Sequence, residues 1–422
     1  MTLLSWVAVV VVILTVYALI KRFETRLVLF TAGLVLCTIS LDPMQALNSF
    51  ASSMTKGSLI TAICSSMGFA YIASYTKCDQ HLVQFLASPI RGLGIFLVPV
   101  CTAVTMFINI AIPSASGCAA AVGSTLIPVM LRAGIKPAAA AAAVMMGTYG
   151  AVVSPGSAHN VYVAKMSNMD VMEFIGFHTP YSLMLYAIGV IGILAVVILF
   201  RDKGEATENV QVNVSEKVQA VEKPNILFAL MPLVPIVILL LGNTVVPAMK
   251  MGVAQAMVLG SIVCLLITRA NPQEFSKSFF SGLGKGYGEI MGIIIAAGVF
   301  AAGLRAAGLI DAFIALLRES NDIARWGGSI GPWLLGVITG SGDAATFAFN
   351  EAVTPHANDF GMQVPNLGAL AMFSGALGRT SSPIAGAMVI VCGIAMANPI
   401  EVAKRTAIPC LTGVIVLALI LV

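Results

Sequence analysis

Three ionisable residues, Arg379, Asp343 and His159, interrupt otherwise apolar and small-residue stretches of this 422-residue chain. A lone charge at membrane depth costs at least about 2.5–3.5 kcal/mol, so Arg379 is expected to face a watery cavity or a partner. A guanidinium placed there can clamp a carboxylate with two parallel hydrogen bonds. Pairing with Asp343, or capping an interrupted helix, are structural roles open to the same residue. Asp343 reads as a helix N-cap, a cation ligand or a proton carrier. His159 changes charge near neutral pH, but beside a chain break it also reads as a structural hydrogen-bond donor, and Asn160 is open in the same way.

Small and hydroxyl residues gather near these charges in matching pairs. One pair is Pro113-Ser114-Ala115-Ser116-Gly117 and Thr339-Gly340-Ser341-Gly342-Asp343; the other is Ser154-Pro155-Gly156-Ser157-Ala158-His159-Asn160 and Arg379-Thr380-Ser381-Ser382-Pro383. Proline removes a backbone donor and glycine loosens the chain, so helices are expected to break in the second pair. Free N–H groups at half-helix N-termini attract anions, whereas carbonyl ends and serine hydroxyls coordinate cations. Substrate-binding candidates are therefore Ser114, Ala115, Ser116, Gly117, Ser157, His159, Asn160, Gly340, Ser341, Gly342, Arg379, Thr380 and Ser381. Candidate sodium ligands are Ser116, Ser154, Ser341, Asp343 and Ser382. Serines and threonines such as Thr346 also serve as backbone caps in membrane helices. Asn350 either lines the cavity or joins the outer surface; Glu351, His81, His178 and His356 are expected at surfaces or interfaces. No catalytic residue and no cofactor is expected, only a coupling ion, Na+ or H+.

The elements that would position these residues are helices in lipid. Hydrophobic residues make up 58% of the chain and charged ones 10%, with a mean hydropathy of +0.95, far from the roughly 25% charged residues of soluble domains. Continuous apolar blocks recur, among them Leu3 to Ile20, Leu27 to Leu41, Tyr181 to Phe200 and Met251 to Thr268. A spanning helix needs about 20 such residues, and outer-membrane strands would show weak alternation instead. The first block has no basic leader and reads as a retained span. The eight cysteines include no CxxC pair and read as small apolar residues, and the run Ala138 to Ala143 as a close-packing surface. A net charge of +4 does not indicate a nucleic-acid surface.

The chain also repeats itself. Ser49-Phe50 and Lys56-Gly57 return 229 positions later as Ser278-Phe279 and Lys285-Gly286. Pro137, Gly147, Gly150, Ser154-Pro155 and Glu173 return 228 positions later as Pro365, Gly375, Gly378, Ser382-Pro383 and Glu401, and Ser116-Gly117 matches Ser341-Gly342. The polar stretch 201–225, with Asp202, Glu205, Glu208, Glu216, Glu222, Lys203, Lys217 and Lys223, reads as a solvated cytoplasmic linker between a first repeat, 1–200, and a second, 226–422. The excess of basic residues in cytoplasmic loops puts Lys21, Arg22 and Arg26 inside and the N-terminus outside. The same count places Arg91, Arg132, Lys136, Arg269, Lys277, Lys285, Lys404 and Arg405 inside, and Lys56, Lys165, Lys250, Arg318 and Arg325 outside. The fold class expected is an all-α polytopic membrane protein of two inverted repeats. Each repeat has a re-entrant helical hairpin (94–132 and 331–359, the first too short for two full spans) and a broken transmembrane helix (137–170 and 365–397).

At Ser114-Ala115-Ser116-Gly117, Thr339-Gly340-Ser341-Gly342-Asp343, Leu377-Gly378-Arg379-Thr380-Ser381-Ser382-Pro383 and Glu401-Val402-Ala403-Lys404-Arg405-Thr406, the chain resembles the DcuC-type anaerobic four-carbon-dicarboxylate carriers of the ion transporter superfamily. The resemblance runs along nearly the whole length. It implies carriage of a small organic dianion (succinate, fumarate or malate) by cation-coupled symport, exchange or efflux in the bacterial inner membrane. It also implies a lipid-embedded homodimer working by an elevator-type mechanism. Two features depart from the family pattern: the 154–160 stretch replaces a more acidic one, and Asp343 stands where an asparagine is expected. Another organic anion or an amino acid as cargo, or an anion channel, are the alternatives. No HExxH, GxSxG or ATP-binding loop supports an enzyme or a primary pump.

Overall fold

A computed structural model describes residues 3–88, 93–204, 224–312 and 321–421; Arg91, Arg318 and linker residues 205–223 lie outside the described residues. The first half contributes α1 (Leu3–Ile20), α2 (Thr25–Ile39), α3 (Pro43–Met54), α4 (Gly57–Tyr75), α5 (Cys78–Ala87), α6 (Leu97–Ala111), α7 (Ala115–Arg132), α8 (Pro137–Gly147), α9 (Ala158–Met166) and α10 (Val171–Leu199). The second contributes α11 (Ile226–Leu230), α12 (Val234–Thr244), α13 (Val253–Thr268), α14 (Pro272–Lys285), α15 (Gly292–Ala306), α16 (Asn321–Thr339), α17 (Gly342–Ala352), α18 (Val364–Thr380), α19 (Gly386–Ala395) and α20 (Pro399–Ile420). Among the described residues, eight helical segments are long and apolar enough to cross a membrane.

Several starts repeat across the halves. Thr25 of α2 and Val253 of α13 stand 228 apart, as do Val171 of α10 and Pro399 of α20. The two segments Leu27–Leu41 and Met251–Thr268 are shorter as helices than a span needs, 15 residues in α2 and 16 in α13, whereas the block at Tyr181 belongs to a 29-residue helix.

Two bundles form, and each draws on both halves of the chain. The first joins α2, α3 and α4 with α13, α14 and α15; the second joins α6 to α10 with α16 to α20. In the first bundle α2 meets α15 through glycines: a Cβ on Gly33 would stand 2.4 Å from the Val299 carbonyl oxygen, and one on Gly303 2.6 Å from the Gly33 carbonyl. In the second, α8 is the central rod. Ala139 to Ala143 are fully buried between α6, α7, α19 and α20, the close packing that an alanine run allows. All eight cysteines are buried and unpaired.

Three expectations need correction. The arms of the first hairpin, Gly94–Ala111 and Ala115–Arg132, have 18 residues each and are long and apolar enough to span, so the segment is not too short for two crossings. The first arm of the second hairpin includes residues before 331, because the described part of α16 already runs from Asn321, and its returning arm is the 11-residue α17 followed by a 3-10 stretch, Thr354–Phe360. Asp202 is not solvated: it is 1% exposed and takes two hydrogen bonds from the Arg405 guanidinium at 2.7 and 2.9 Å, while its carbonyl accepts from the Lys136 N–H at 2.9 Å. The chain leaving α10 is thereby tied to the start of α8 and to α20.

Candidate functional site

Each hairpin reverses over a few residues whose polar groups are capped from within. After α6, Ser114 ends the turn, and its hydroxyl accepts from the Gly117 N–H at 3.2 Å, opening α7. After α16, Gly340 takes φ +73, and Ser341 accepts from the Ala344 N–H at 3.3 Å, opening α17. A Cβ on Gly340 would stand 3.1 Å from the Ala385 N, so only glycine fits this turn against the second break.

The breaks free carbonyls that buried side chains then satisfy. Between α8 and α9, Asn160 donates to the Val152 and Ser154 carbonyls at 2.8 and 2.9 Å, and its own oxygen accepts from His178 at 3.1 Å. An amide oxygen only accepts, which fixes the His178 proton on Nε2. Asn109 joins hairpin to break, donating to the Ile112 carbonyl at 2.9 Å and accepting from the Ala151 N–H at 2.7 Å. At the second break, between α18 and α19, the Thr406 hydroxyl donates to the Thr380 carbonyl at 2.9 Å.

Hairpin tips and breaks then line one cavity of about 420 Å³. The N-termini of four helices meet there: α7 through Ser114, Ala115 and Ser116, α9 through Ser157 and His159, α17 through Ser341, Gly342 and Asp343, and α19 through Gly386 and Ala387. Each N-terminus carries about half a positive charge and unsatisfied N–H donors, so four around one space make an anion site before any charged side chain is counted. Arg379, in the last turn of α18, adds a full positive charge and is itself anchored. Its guanidinium donates to the Thr148 carbonyl at 2.9 Å and to the Thr148 hydroxyl at 3.4 Å, so it caps the C-terminal end of α8 across the repeat. Asp343 Oδ1 meets His159 Nε2 at 2.9 Å, and the His159 ring stacks on Phe347 with centroids 4.4 Å apart.

Of the residues expected to bind substrate, Ser114, Ala115, Ser116, Ser157, His159, Gly340, Ser341, Gly342 and Arg379 line this cavity. Four do not. Gly117 is one position inside α7, its N–H committed to Ser114. Asn160 is fully buried behind the break, and Thr380 and Ser381 are buried with hydroxyls donating back to Ala376 and Leu377 at 2.9 Å. Of the candidate sodium ligands, Ser116, Ser341 and Asp343 reach the cavity; Ser154 and Ser382 are buried inside the breaks.

Other expectations shift as well. Thr346 and Asn350 are buried and point to carbonyls of α18, at Ala371 and Gly368. Glu351 is not a surface residue: with 17% of its side chain exposed, it takes Lys56 Nζ at 3.0 and 3.2 Å and the Tyr162 hydroxyl. His178 is fully buried between Asn160 and Ser182.

The sequence reading missed the wall from the first bundle: Met67 of α4 and Glu289, Ile290 and Ile293, at and beyond the π-helical turn Gly286–Met291. Glu289 pairs with Lys285 at 3.2 Å, and both are half exposed. A lone acid just ahead of the apolar run Ile290 to Ala302 was the available signal. Thr148 was missed because its role is to hold Arg379.

The family described as DcuC, C4-dicarboxylate anaerobic carrier, matches residues 3–422. An uncharacterized transporter of Haemophilus influenzae is 44% identical over 278 residues, 64% of this chain and 99% of that protein. The anaerobic C4-dicarboxylate transporter DcuC of Escherichia coli K12 is 28% identical over 451 aligned positions, 97% of this chain and 94% of that protein. Among solved structures, the Alcanivorax borkumensis YdaH transporter superposes with a TM-score of 0.58 at 14% identity, covering 89% of this chain and 86% of that one, a likeness of fold.

Proposed function

The chain belongs to the DcuC family of C4-dicarboxylate anaerobic carriers, a transporter family and not an enzyme family, and from that premise we propose that it carries a four-carbon dianion such as succinate, fumarate or malate. The observation that carries the reading is the convergence of four helix N-termini and Arg379 on one cavity. One substrate carboxylate lies at Arg379, held rigidly by its bonds to Thr148; the other takes N–H groups and hydroxyls at Ser114, Ser116, Ser157 and Ser341. Anchoring Arg379 through the α8 terminus fixes its geometry before substrate arrives, which lowers the entropic cost of binding.

A dianion moved alone against a membrane potential costs about 2.3 kcal/mol per charge per 100 mV, so protons or sodium ions accompany it, or a second dianion returns. Both hairpins are re-entrant in this proposal, the two repeats are inverted, and the second bundle moves against the first as an elevator in a homodimer. Support comes from the composition of the cavity wall: tips and breaks belong to the second bundle, and Met67, Glu289, Ile290 and Ile293 to the first. For orientation in the inner membrane, the basic residues assigned outside do gather, Lys56 with Lys165 on one cavity and Lys165 with Lys250 on another.

The test is counterflow of labelled succinate in proteoliposomes, with and without a sodium or proton gradient. Saturable exchange that fumarate inhibits, and that Arg379→Ala abolishes in folded protein, is expected. Unchanged kinetics in Arg379→Ala would remove that residue from the site, and no exchange of any four-carbon dicarboxylate would sink the reading.

A further inference from the structure

The cavity wall carries two carboxylates that a site for a plain dianion does not need, Glu289, which is paired with Lys285 at 3.2 Å, and Asp343. Asp343 sits at the mouth of a helix N-terminus with 51% of its side chain exposed to the cavity. Ser341 already caps that helix through the Ala344 N–H, so Asp343 is not required as the cap. Its Oδ1 is engaged by His159, and no hydrogen bond among the described residues reaches Oδ2. Arg379 does not neutralise it by contact: among the described residues no ion pair joins them, and the guanidinium bonds are to Thr148.

His159 engages only one Asp343 oxygen, through Nε2, and its own Nδ1 is buried with no hydrogen-bond partner among the described residues. The stack on Phe347 fixes the ring in this pose.

The wall is therefore bipolar. N-termini and Arg379 suit carboxylates, and Asp343, with one oxygen free, suits a cationic group within the same 420 Å³. We propose that the preferred cargo is a short aliphatic dicarboxylate that carries an ammonium group, the nitrogen pairing with Asp343 while the carboxylates meet Arg379 and the helix termini. This rests on the dicarboxylate reading above and narrows it. An unsubstituted dicarboxylate enters the same site but leaves the second Asp343 oxygen without a cationic partner and beside a like charge, which lowers its affinity.

L-Aspartate and succinate differ by one ammonium group and are the probes. In proteoliposomes holding the full chain, aspartate should inhibit uptake of labelled dicarboxylate at a concentration at least about tenfold lower than succinate, a discrimination of about 1.4 kcal/mol. In Asp343→Asn that ratio should fall at least tenfold, towards or below one. Equal or better competition by succinate in the unaltered protein overturns the proposal, and this arm stands even where the variant does not fold. An unchanged ratio in folded Asp343→Asn also overturns it, including the case in which the variant loses a sodium dependence, which would make Asp343 a ligand of the coupling ion. Succinate transport with no competition by aspartate sinks this inference alone; transport of neither acid sinks the dicarboxylate reading with it.

Discussion

Removing either partner of the Asp202–Arg405 pair tests whether the end of the first repeat is fastened into the second bundle. The two side chains are 1% and 8% exposed, and two hydrogen bonds of 2.7 and 2.9 Å join them. Breaking a buried pair of this kind leaves an uncompensated charge and costs about 3–5 kcal/mol. The structure orders the two truncations. In Asp202→Ala, Arg405 keeps the Glu401 carbonyl at 2.6 Å, the Glu401 carboxylate at 3.2 Å and the Phe200 ring at 4.9 Å, so the loss sits at the lower end, about 3 kcal/mol. In Arg405→Met, the Asp202 carboxylate keeps, among the described residues, only Lys136 Nζ at 3.8 Å, which is half exposed, so the loss lies nearer about 5 kcal/mol. The double variant should cost less than the two singles added, by at least about 2 kcal/mol, because neither charge is then buried alone. Reversible denaturation in mixed detergent micelles measures all four proteins. Single losses under about 1 kcal/mol, the value of an exposed pair, or strict additivity would refute the claim that this pair acts as a buried one.

Two other perturbations separate structure from transport. Asn160→Leu leaves the Val152 and Ser154 carbonyls and the His178 donor without partners, at about 1–3 kcal/mol for each unsatisfied group, so the denaturation midpoint and succinate counterflow should fall together; lost counterflow at an unchanged midpoint would return Asn160 to the cavity. Burial raises the Asp79 carboxyl in α5 to about 6, from an ordinary value near about 3.9. The folded state therefore holds that proton more tightly, and stability is lost as pH rises from about 4 through about 6. Asp79→Asn should raise the thermal midpoint at pH 7.5 and raise it by much less at pH 4.5, where the folded carboxyl is still protonated; a gain of equal size at both would exclude this ionisation as the cause.

How much of this could be read from residues alone follows from the range of each interaction. Helix breaks at Ser154-Pro155 and Ser382-Pro383 and the turns at Pro113 to Ser116 and Gly340-Ser341 were legible because proline, glycine and serine act on their own backbone. The burial of Ala139 to Ala143 was legible for a similar reason, since an unbroken alanine run has no polar face to expose. Asp202, Glu351 and His178 were misplaced because a charged or polar residue reads as surface until its partner is known. Those partners stand 203 positions away at Arg405, 295 away at Lys56 and, for His178, across the break at Asn160.

The repeat itself accounts for only half of the site. At the 228 shift that aligns Pro137 with Pro365, Arg379 corresponds to Ala151 and His159 to Ala387, and both alanines line the same cavity. At the offset that aligns the hairpin tips, Asp343 corresponds to Cys118, which is buried. What the two halves share is therefore backbone: a hairpin tip and a helix break each, with the N–H donors that favour any small anion. What they do not share is every charged side chain on the second bundle's side of the cavity. A duplicated frame alone would accept an anion in either of two equivalent orientations. Arg379 on α18 and Asp343 on α17 remove that equivalence, because one end of a bound molecule meets a fixed cation and another position meets a carboxylate. On the proposed dicarboxylate reading, affinity for anions comes from the repeated backbone together with Arg379, and selection among them from the other residues by which the halves differ, so Arg379→Ala should abolish exchange whereas substitutions at His159 and Asp343 should change which acid is carried more than whether one is.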